Sequence, residues 1–356
     1  MLWRLPAPVR SLFASNFRSL SRSAAGPTRH ADPLRILFCG SDEFSIASLR
    51  ALHDASRHVP GLIEEIHVAH RPAKPTGRGL KVLREVPIAK TASSLSLPIH
   101  TFDTFTGWKP PFSYNLVIAV SFGLLVPPRI LGLAKYGGLN VHPSFLPDLR
   151  GSAPVEHAIL KRRSHTGVSV QTLDPHRFDE GVVLAQTASP GIQIRKDESA
   201  EGLEARLADV GAEMLVDVLK EGSFVPPLES RGWYSGPTDY APKITKRDRF
   251  VDFKAMTMAQ ILAVQRALGD TWCILPNGDR LVMHQVVEQS NTVDTDGDVQ
   301  SGLWHEKNGG ELLFRSACGR VGAIVSSTYA GGKAGKGNAK VGKLLREQGK
   351  AQKLFG

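Results

Sequence analysis

Cysteine is scarce: the 356 residues hold three, Cys39, Cys273 and Cys318, scattered and in no CxxC pair, and no HExxH stretch is present. A disulfide framework and a zinc centre of ordinary spacing are therefore excluded, and a reducing compartment with no metal is expected. No apolar run approaches the roughly 20 residues needed to cross a bilayer, so no membrane partner is expected. The turn after the first apolar run holds one glycine, Gly40, and the GxGxxG dinucleotide fingerprint is missing. Acidic residues are absent from residues 1–30, where Arg4, Arg10, Arg18, Arg22 and Arg29 sit among Ser, Leu, Val and Phe. That composition is expected of a mitochondrial transit peptide, and Pro6, Pro8 and the arginines break up the apolar core that a secretory signal requires. The other reading of this segment is a basic arm that stays attached and touches nucleic acid.

What is present describes a soluble globular chain with room for two domains: 42% of the residues are apolar and 22% charged. The net charge of +10 is concentrated at the ends. Residues 1–30 contribute +5, and the chain from Gly331 onward contributes +6, with seven Lys or Arg against Glu347, so the 300 residues between them sum to −1. The Gly-rich basic tail either runs along phosphates or serves as a solubilising extension, partly helical near Lys343.

LRILFCGS (34–41) is a continuous apolar run followed by helical spacing at Phe44, Leu49 and Leu52, the strand, turn and helix that open a parallel α/β sheet. LIEEIHVA, YNLVIAVSFG and GLNVH supply further strands, and TGVSVQTLD with GVVLAQTASP reads as a pair. SAEGLEARLADVGAEMLVDVLKEG places Leu203, Leu207, Val210, Met214 and Val218 on one helical stripe, with Ser199 as N-cap and Gly222 beyond the end. The proline-rich segment 223–242 reads as a linker. A helix at MTMAQILAVQRAL and several short strands beyond it predict a small barrel.

The chemistry is concentrated in LNVHPSFLPDLRG (139–151). In a parallel sheet, ligands bind beyond the carboxyl ends of the strands, where Asn140 and His142 fall. Two apart in an extended segment, they point the same way and together suit an oxyanion, the amide by donating a hydrogen bond and a protonated imidazole by adding charge. SFLPDLRGSAP then reads as a rigid turn that exposes Phe145, Leu146 and Leu149 against a flat ring. Asp174 and Asp179 compete for the role of partner carboxylate. The loop at 71–84 carries Arg71, Lys74, Arg78, Lys81 and Arg84 without an acid, while Pro72, Pro75, Gly77 and Gly79 bar a helix; it suits insertion against an RNA end or, on the plainer reading, a solvated loop.

Asn140-Val-His142, the Ser144–Gly151 loop, Thr166-Gly-Val with Phe178-Asp-Glu-Gly181, HRPAKPTGRGLK (70–81) and YAPKITKRDRFVDF (240–253) follow one another in the order and spacing of a known family. The chain resembles the folate-dependent formyltransferases, and among them the methionyl-tRNA formyltransferases of mitochondrial type. The resemblance implies a Rossmann-like parallel-sheet α/β catalytic domain over 31–222, a linker over 223–242, an OB-like tRNA-binding barrel over 243–345 and a basic tail over 346–356. It implies 10-formyltetrahydrofolate as formyl donor, the amine of initiator methionyl-tRNA as acceptor, a mitochondrial matrix location and a monomer. On it, Asn140, His142 and Asp179 are catalytic, with Asp179 preferred to Asp174 because it alone fills the family's Asp-x-Gly position. Ser144, Phe145, Leu146 and Pro147 hold the folate, and Arg71, Lys74, Arg78, Lys81, Lys246 and Arg247 meet the tRNA. The interval from Thr166-Gly-Val to Asp179 is one residue longer than in cytoplasmic and bacterial members, and 330–340 is richer in glycine than its family counterpart. The rival readings are formyl transfer to a small amine, such as an amino-sugar nucleotide or glycinamide ribonucleotide, hydrolysis of formyltetrahydrofolate, and a non-catalytic RNA-binding protein of the same fold.

Overall fold

The computed structural model describes residues 29–76, 79, 82–275, 277–289, 302–305 and 311–347. Apart from Arg29 and His30, the expected transit peptide lies outside the described residues, as do Arg78, Lys81 and the tail beyond 347. The chain divides into two compact units: residues up to Arg150 with Thr166–Ile192 and Ala205–Asp239 form one, and Gly151–His165, Gln193–Glu204 and Tyr240 onward form the other.

In the first unit, β1 (Leu34–Cys39) is buried at five of six positions, as a central parallel strand must be. It leads into α1 (Glu43–His58), which Asp42 caps by accepting from the Ser45 N–H at 3.1 Å. Glu43 in the first turn and Arg57 and His58 in the last suit the helix dipole. There follow β2 (Ile63–His70), β3 (Lys74–Thr76), β4 (Val82–Arg84), α2 (Pro87–Ser94), β5 (Ile99–Thr101), β6 (Leu116–Ala119), α3 (Pro128–Leu131) and β7 (Gly138–His142). Beyond α4 (Pro154–Leu160) come β8 (His165–Thr166), β9 (Ser169–Thr172), β10 (Val183–Gln186), β11 (Ile192–Gln193) and α5 (Ala200–Glu221).

Seven strands form one sheet in the order β10-β9-β7-β6-β1-β2-β5. The five from β7 to β5 are parallel, whereas β9 and β10 run antiparallel on the β7 side. The chain winds outward from β1 through β2 to β5, then returns to β6 and β7 on the other side of β1. The switch point, where an open α/β sheet presents its crevice, therefore falls between the carboxyl ends of β1 and β6. The expected caps of α5 are present: Ser199 Oγ accepts from the Gly202 N–H at 3.1 Å, and Gly222, at φ +67°, closes a Schellman turn in which Ser223 N–H reaches Val218 O.

The second unit holds α4, α6 (Met258–Leu268), β12 (Thr271–Ile274), β13 (Arg280–Glu288), β14 (Gly302–His305), β15 (Leu312–Arg315), β16 (Val321–Tyr329) and α7 (Gly337–Glu347). The strands order as β12-β13-β16-β15-β14 in a curled antiparallel sheet, a half-barrel that fits the small OB-like barrel expected. Its curvature has a local cause. Leu281 and Met283 face the core in strict alternation, then register shifts against β16 around Gln285 bring Val286, three residues on, to the same buried face. Phe253, Met258, Ile261, Phe314, Ile324 and Val341 fill that core.

Helix α6 opens on a capping box: Thr257 accepts from the Gln260 N–H at 3.3 Å and Gln260 Oε1 accepts from the Thr257 N–H at 2.8 Å. Replacing Thr257 by Ala is expected to destabilise the second unit by about 1 kcal/mol, read as a lower denaturant midpoint with an unchanged slope.

Candidate active site

Strand β7 ends at the crevice, and its pairing with β9 places Asn140 opposite Gln171 and His142 opposite Ser169. Because side chains alternate along a strand, Asn140, His142, Gln171 and Ser169 share one face. The Asn140 amide is held at both ends: Nδ2 donates to Ala119 O at the end of β6 at 2.9 Å, and Oδ1 accepts from Gln171 Nε2 at 3.1 Å. A backbone carbonyl accepts only, so this network assigns the orientation of the amide. One Nδ2 hydrogen remains for a ligand.

His142 is 5% exposed. Its Nε2 donates to Leu149 O at 3.0 Å, and its Nδ1 lies 3.5 Å from Asp179 Oδ1. Acceptors at both nitrogens match the hydrogen bonding of an imidazolium, which donates at both. Asp179, its side chain 11% exposed, also accepts from Gln171 Nε2 at 3.2 Å. Asp174 is settled elsewhere: it takes the backbone N–H groups of His176 and Arg177, each at 2.8 Å, which hold its carboxyl below the usual range and fold the loop. The loop then bends through a left-handed Asp179, at φ +57°, and returns to β9 at Gly181, where a Cβ would fall 1.7 Å from Thr172 O. Only glycine allows that approach.

Gln171 is the member of the cluster that the sequence reading missed. It is 2% exposed, donates to both Asn140 and Asp179, and leaves its Oε1 buried without a hydrogen-bond partner. Flipping the amide would set that oxygen against two other oxygens. The orphan acceptor costs about 1–3 kcal/mol, and the bridge between the two outer groups is what that cost sustains. A second missed group, Asp42 in the turn between β1 and α1, has its carboxyl pushed up by burial while the Ser45 N–H and the hydroxyls of Ser121 and Ser45 pull it down. It sits at the switch point itself.

The turn after His142 departs from expectation. Phe145, Leu146 and Leu149 are buried, at 6%, 3% and 1% exposure, and do not present apolar side chains to a ligand. The ring of Phe145 packs edge-on to Trp233 and parallel to Tyr234, over Gly167, where a Cβ would lie 2.0 Å from it. The polar groups of the turn are also occupied: Ser144 Oγ donates to Asp148 O, Leu146 N–H to Ser169 Oγ, and Gln186 Nε2 to Leu146 O. Only Pro147 of the four residues expected at the folate remains partly exposed. The segment is a braced support that holds Leu149 O beneath the imidazole.

Residues 34–219 match a family model described as formyl transferase. Over 301 residues the chain is 33% identical to the mitochondrial methionyl-tRNA formyltransferase of Saccharomyces cerevisiae, covering 74% of this chain and 73% of that protein. The chain belongs to the methionyl-tRNA formyltransferase family. The human mitochondrial relative is 36% identical over 247 residues, 68% of this chain, and the match spans 59% of the human protein. Among solved structures, a sugar 3N-formyl transferase superposes at TM-score 0.56 with 14% identity over 84% of this chain and 98% of that one. An N-formyltransferase from Helicobacter canadensis superposes at 0.55 with 13% identity, over 82% and 98%. At these identities the two structures share the fold.

The residues expected at RNA fall on other elements, and Arg78 and Lys81 among them lie outside the described residues. β3 and β4 pair antiparallel, with Lys74 exposed and Val82 and Leu83 largely exposed. Arg71, ahead of β3, donates from Nη2 and Nε to Asp103, at 2.6 and 3.2 Å. In the second unit Lys246 and Arg247 are exposed on either side of the start of a short 3-10 turn at Arg247–Arg249, which Trp272 braces by donating to Lys246 O at 2.9 Å. Among the described residues, no group of three or more His, Cys, Asp or Glu side chains converges on one point.

The close approach at Gly181 carries a test. Gly181→Ala is expected to force the 174–181 loop away from β9 and destabilise the first unit by roughly 1–3 kcal/mol, measured as a lowered unfolding midpoint.

Proposed function

We propose that the protein transfers the formyl group of 10-formyltetrahydrofolate to the amino group of initiator methionyl-tRNA, and that it does so in mitochondria. The observation that carries the reading is the coupled cluster of Asn140, His142, Asp179 and Gln171 at the carboxyl end of a parallel sheet, in a chain of this family. Of two fold neighbours, the sugar 3N-formyl transferase was solved in the presence of 5-N-formyl-tetrahydrofolate and the Helicobacter canadensis enzyme in complex with folinic acid, and the yeast, human and bovine relatives are mitochondrial methionyl-tRNA formyltransferases. The arginine-rich, acid-free residues 1–30 support import to the matrix as a transit peptide. The protein works as a monomer on this reading.

The donor binds in the crevice at the ends of β1 and β6, with the Ser144–Pro147 turn as a rigid wall. Attack of the neutral amine on the formyl carbon places negative charge on the formyl oxygen. The remaining Asn140 N–H donates to that oxygen, and the His142 imidazolium lowers the potential around it. Asp179 holds the imidazolium and takes part in moving the amine proton, through the ring or a water. As the tetrahedral carbon collapses, the bond to the folate nitrogen breaks and that nitrogen takes up a proton. Gln171 keeps the Asn140 oxygen turned away from the oxyanion. The 71–84 hairpin with Arg71, Lys74, Arg78 and Lys81 takes the acceptor end, and the barrel, with Lys246 and Arg247, holds the tRNA backbone.

Labelled formyl is expected to pass from 10-formyltetrahydrofolate to methionyl-tRNA and not to free methionine or uncharged tRNA. Transfer to an amino-sugar nucleotide instead would favour the small-amine reading. Asn140→Ala is expected to lower kcat about 100- to 1000-fold with tRNA affinity unchanged in a filter-binding assay; an unchanged kcat would remove Asn140 from the mechanism. Gln171→Met removes both donors at nearly constant volume. It is expected to lower kcat by about tenfold while the unfolding free energy stays within about 1 kcal/mol, since the buried orphan oxygen goes as well.

A further inference from the structure

Helix α5 carries a stripe of carboxylates that the cluster above does not use: Asp209, Glu213, Asp217 and Glu221, each four residues from the next and so on one face. Like charges at that spacing oppose the helix. Burial, with the Asp217 and Asp209 carboxylates, pushes the Glu213 carboxyl up. Glu221 has a partner in Arg231 at 2.8 Å, and Lys220 lies 3.8 Å from Asp217. Along the stripe, between α5 and β10, runs a slot of about 80 Å³, floored by the buried Leu184, Ile192, Met214 and Val218 and rimmed by Glu213, Asp217 and Glu221. It has room for one aliphatic side chain.

The start of the chain is tied to this end of α5. The Arg29 N–H donates to Glu221 O at 3.1 Å, and its guanidinium donates to Val225 O at 2.8 Å, to Pro227 O and to Glu229 at 2.8 Å. The residues before Arg29 therefore set out from the carboxyl end of the acidic stripe. Residues 1–28 hold four arginines and no acid. Among them, Arg18-Ser19-Leu20-Ser21-Arg22 places one leucine between two arginines, each two positions away. That spacing turns all three to one side of an extended segment.

We propose that residues 18–22 dock on α5 of the same chain, Leu20 filling the slot and Arg18 and Arg22 meeting the carboxylates of Glu213 and Asp217. The dimensions agree. Extended, residues 18–22 span about 13 Å, and the helix rises about 12 Å from Glu213 to Glu221. The seven steps from Arg22 to Arg29 reach at most about 25 Å, so the tether spans the slot and raises the local concentration of the segment there. The segment read as a transit peptide is in this way held against the protein in the uncut chain, and its removal uncovers the slot. Formyl transfer takes no part in the argument, so the proposal stands or falls apart from the function above.

Brief trypsin treatment of the folded full-length chain, with mass spectrometry of the released peptides, reads the docking, because a cut after Arg18 or Arg22 requires the segment to be free. Arg4 and Arg10 lie outside the docked stretch and serve as references. Cuts after Arg18 and Arg22 are expected to be about tenfold slower than cuts after Arg4 and Arg10, the difference shrinking as salt rises. Glu213 and Asp217 are exposed, so the fold tolerates their replacement. The double variant Glu213→Gln with Asp217→Asn, or Leu20→Ser alone, is expected to bring the rates at all these arginines within about twofold of one another. Equal rates in the unsubstituted chain would overturn the proposal. Protection that survives both variants would place the segment elsewhere and overturn the slot assignment. Protection that grows with protein concentration would make this a contact between two copies and overturn docking within one chain.

Discussion

The register of β7 against β9 is the constraint on which the candidate site depends. It sets Asn140 opposite Gln171 and His142 opposite Ser169. A slip of one residue would turn Gln171 and Ser169 to the other face of the sheet. The Asn140 amide would then lose the donor that orients it, and the 174–181 loop would no longer bring Asp179 back to the imidazole. β9 runs antiparallel to both β7 and β10, whereas the five strands from β7 to β5 are parallel, and the loop joining β9 to β10 carries Asp179 back to the crevice. This loop folds through the turn on Asp174 and the left-handed Asp179.

Support for the register comes from outside the two strands. Ser169 Oγ donates to Ser144 O at 2.7 Å and accepts from Leu146 N–H and Gln186 Nε2. Gln186 in turn accepts the Trp233 and Tyr234 N–H groups, whose rings cover Phe145. The linker-like segment after α5 is therefore a brace for the turn after His142 as well as a connection. A mobile turn would leave Leu149 O free to drift from His142, and electrostatic stabilisation of an oxyanion is effective only when its groups are already in place before charge develops.

Much of this was legible in the residues. Continuous apolar runs with Gly at their ends announced the parallel strands, Ser199 and Gly222 marked the ends of α5, and the same-face spacing of Asn140 and His142 pointed to one target. Gln171 was not legible, because in SVQT it reads as an ordinary polar position on an alternating strand; its meaning comes from the residue across the ladder. Phe145 of the turn was misread as exposed because the partners that bury it lie distant in sequence, at Gly167, Gly191 and Trp233-Tyr234. The register shifts of β13 against β16, which accompany the curl of the sheet, are not revealed by periodicity alone.

The central claim is that Asn140 and Gln171 act as one unit in formyl transfer. A double-mutant cycle on single-turnover transfer from 10-formyltetrahydrofolate to methionyl-tRNA, using Asn140→Ala, Gln171→Met and the double variant, tests it most directly. If Gln171 acts largely by orienting the Asn140 amide, the double variant should be no slower than Asn140→Ala by more than about threefold. Losses that multiply, or an unsubstituted protein that transfers no formyl group to methionyl-tRNA, would contradict the account.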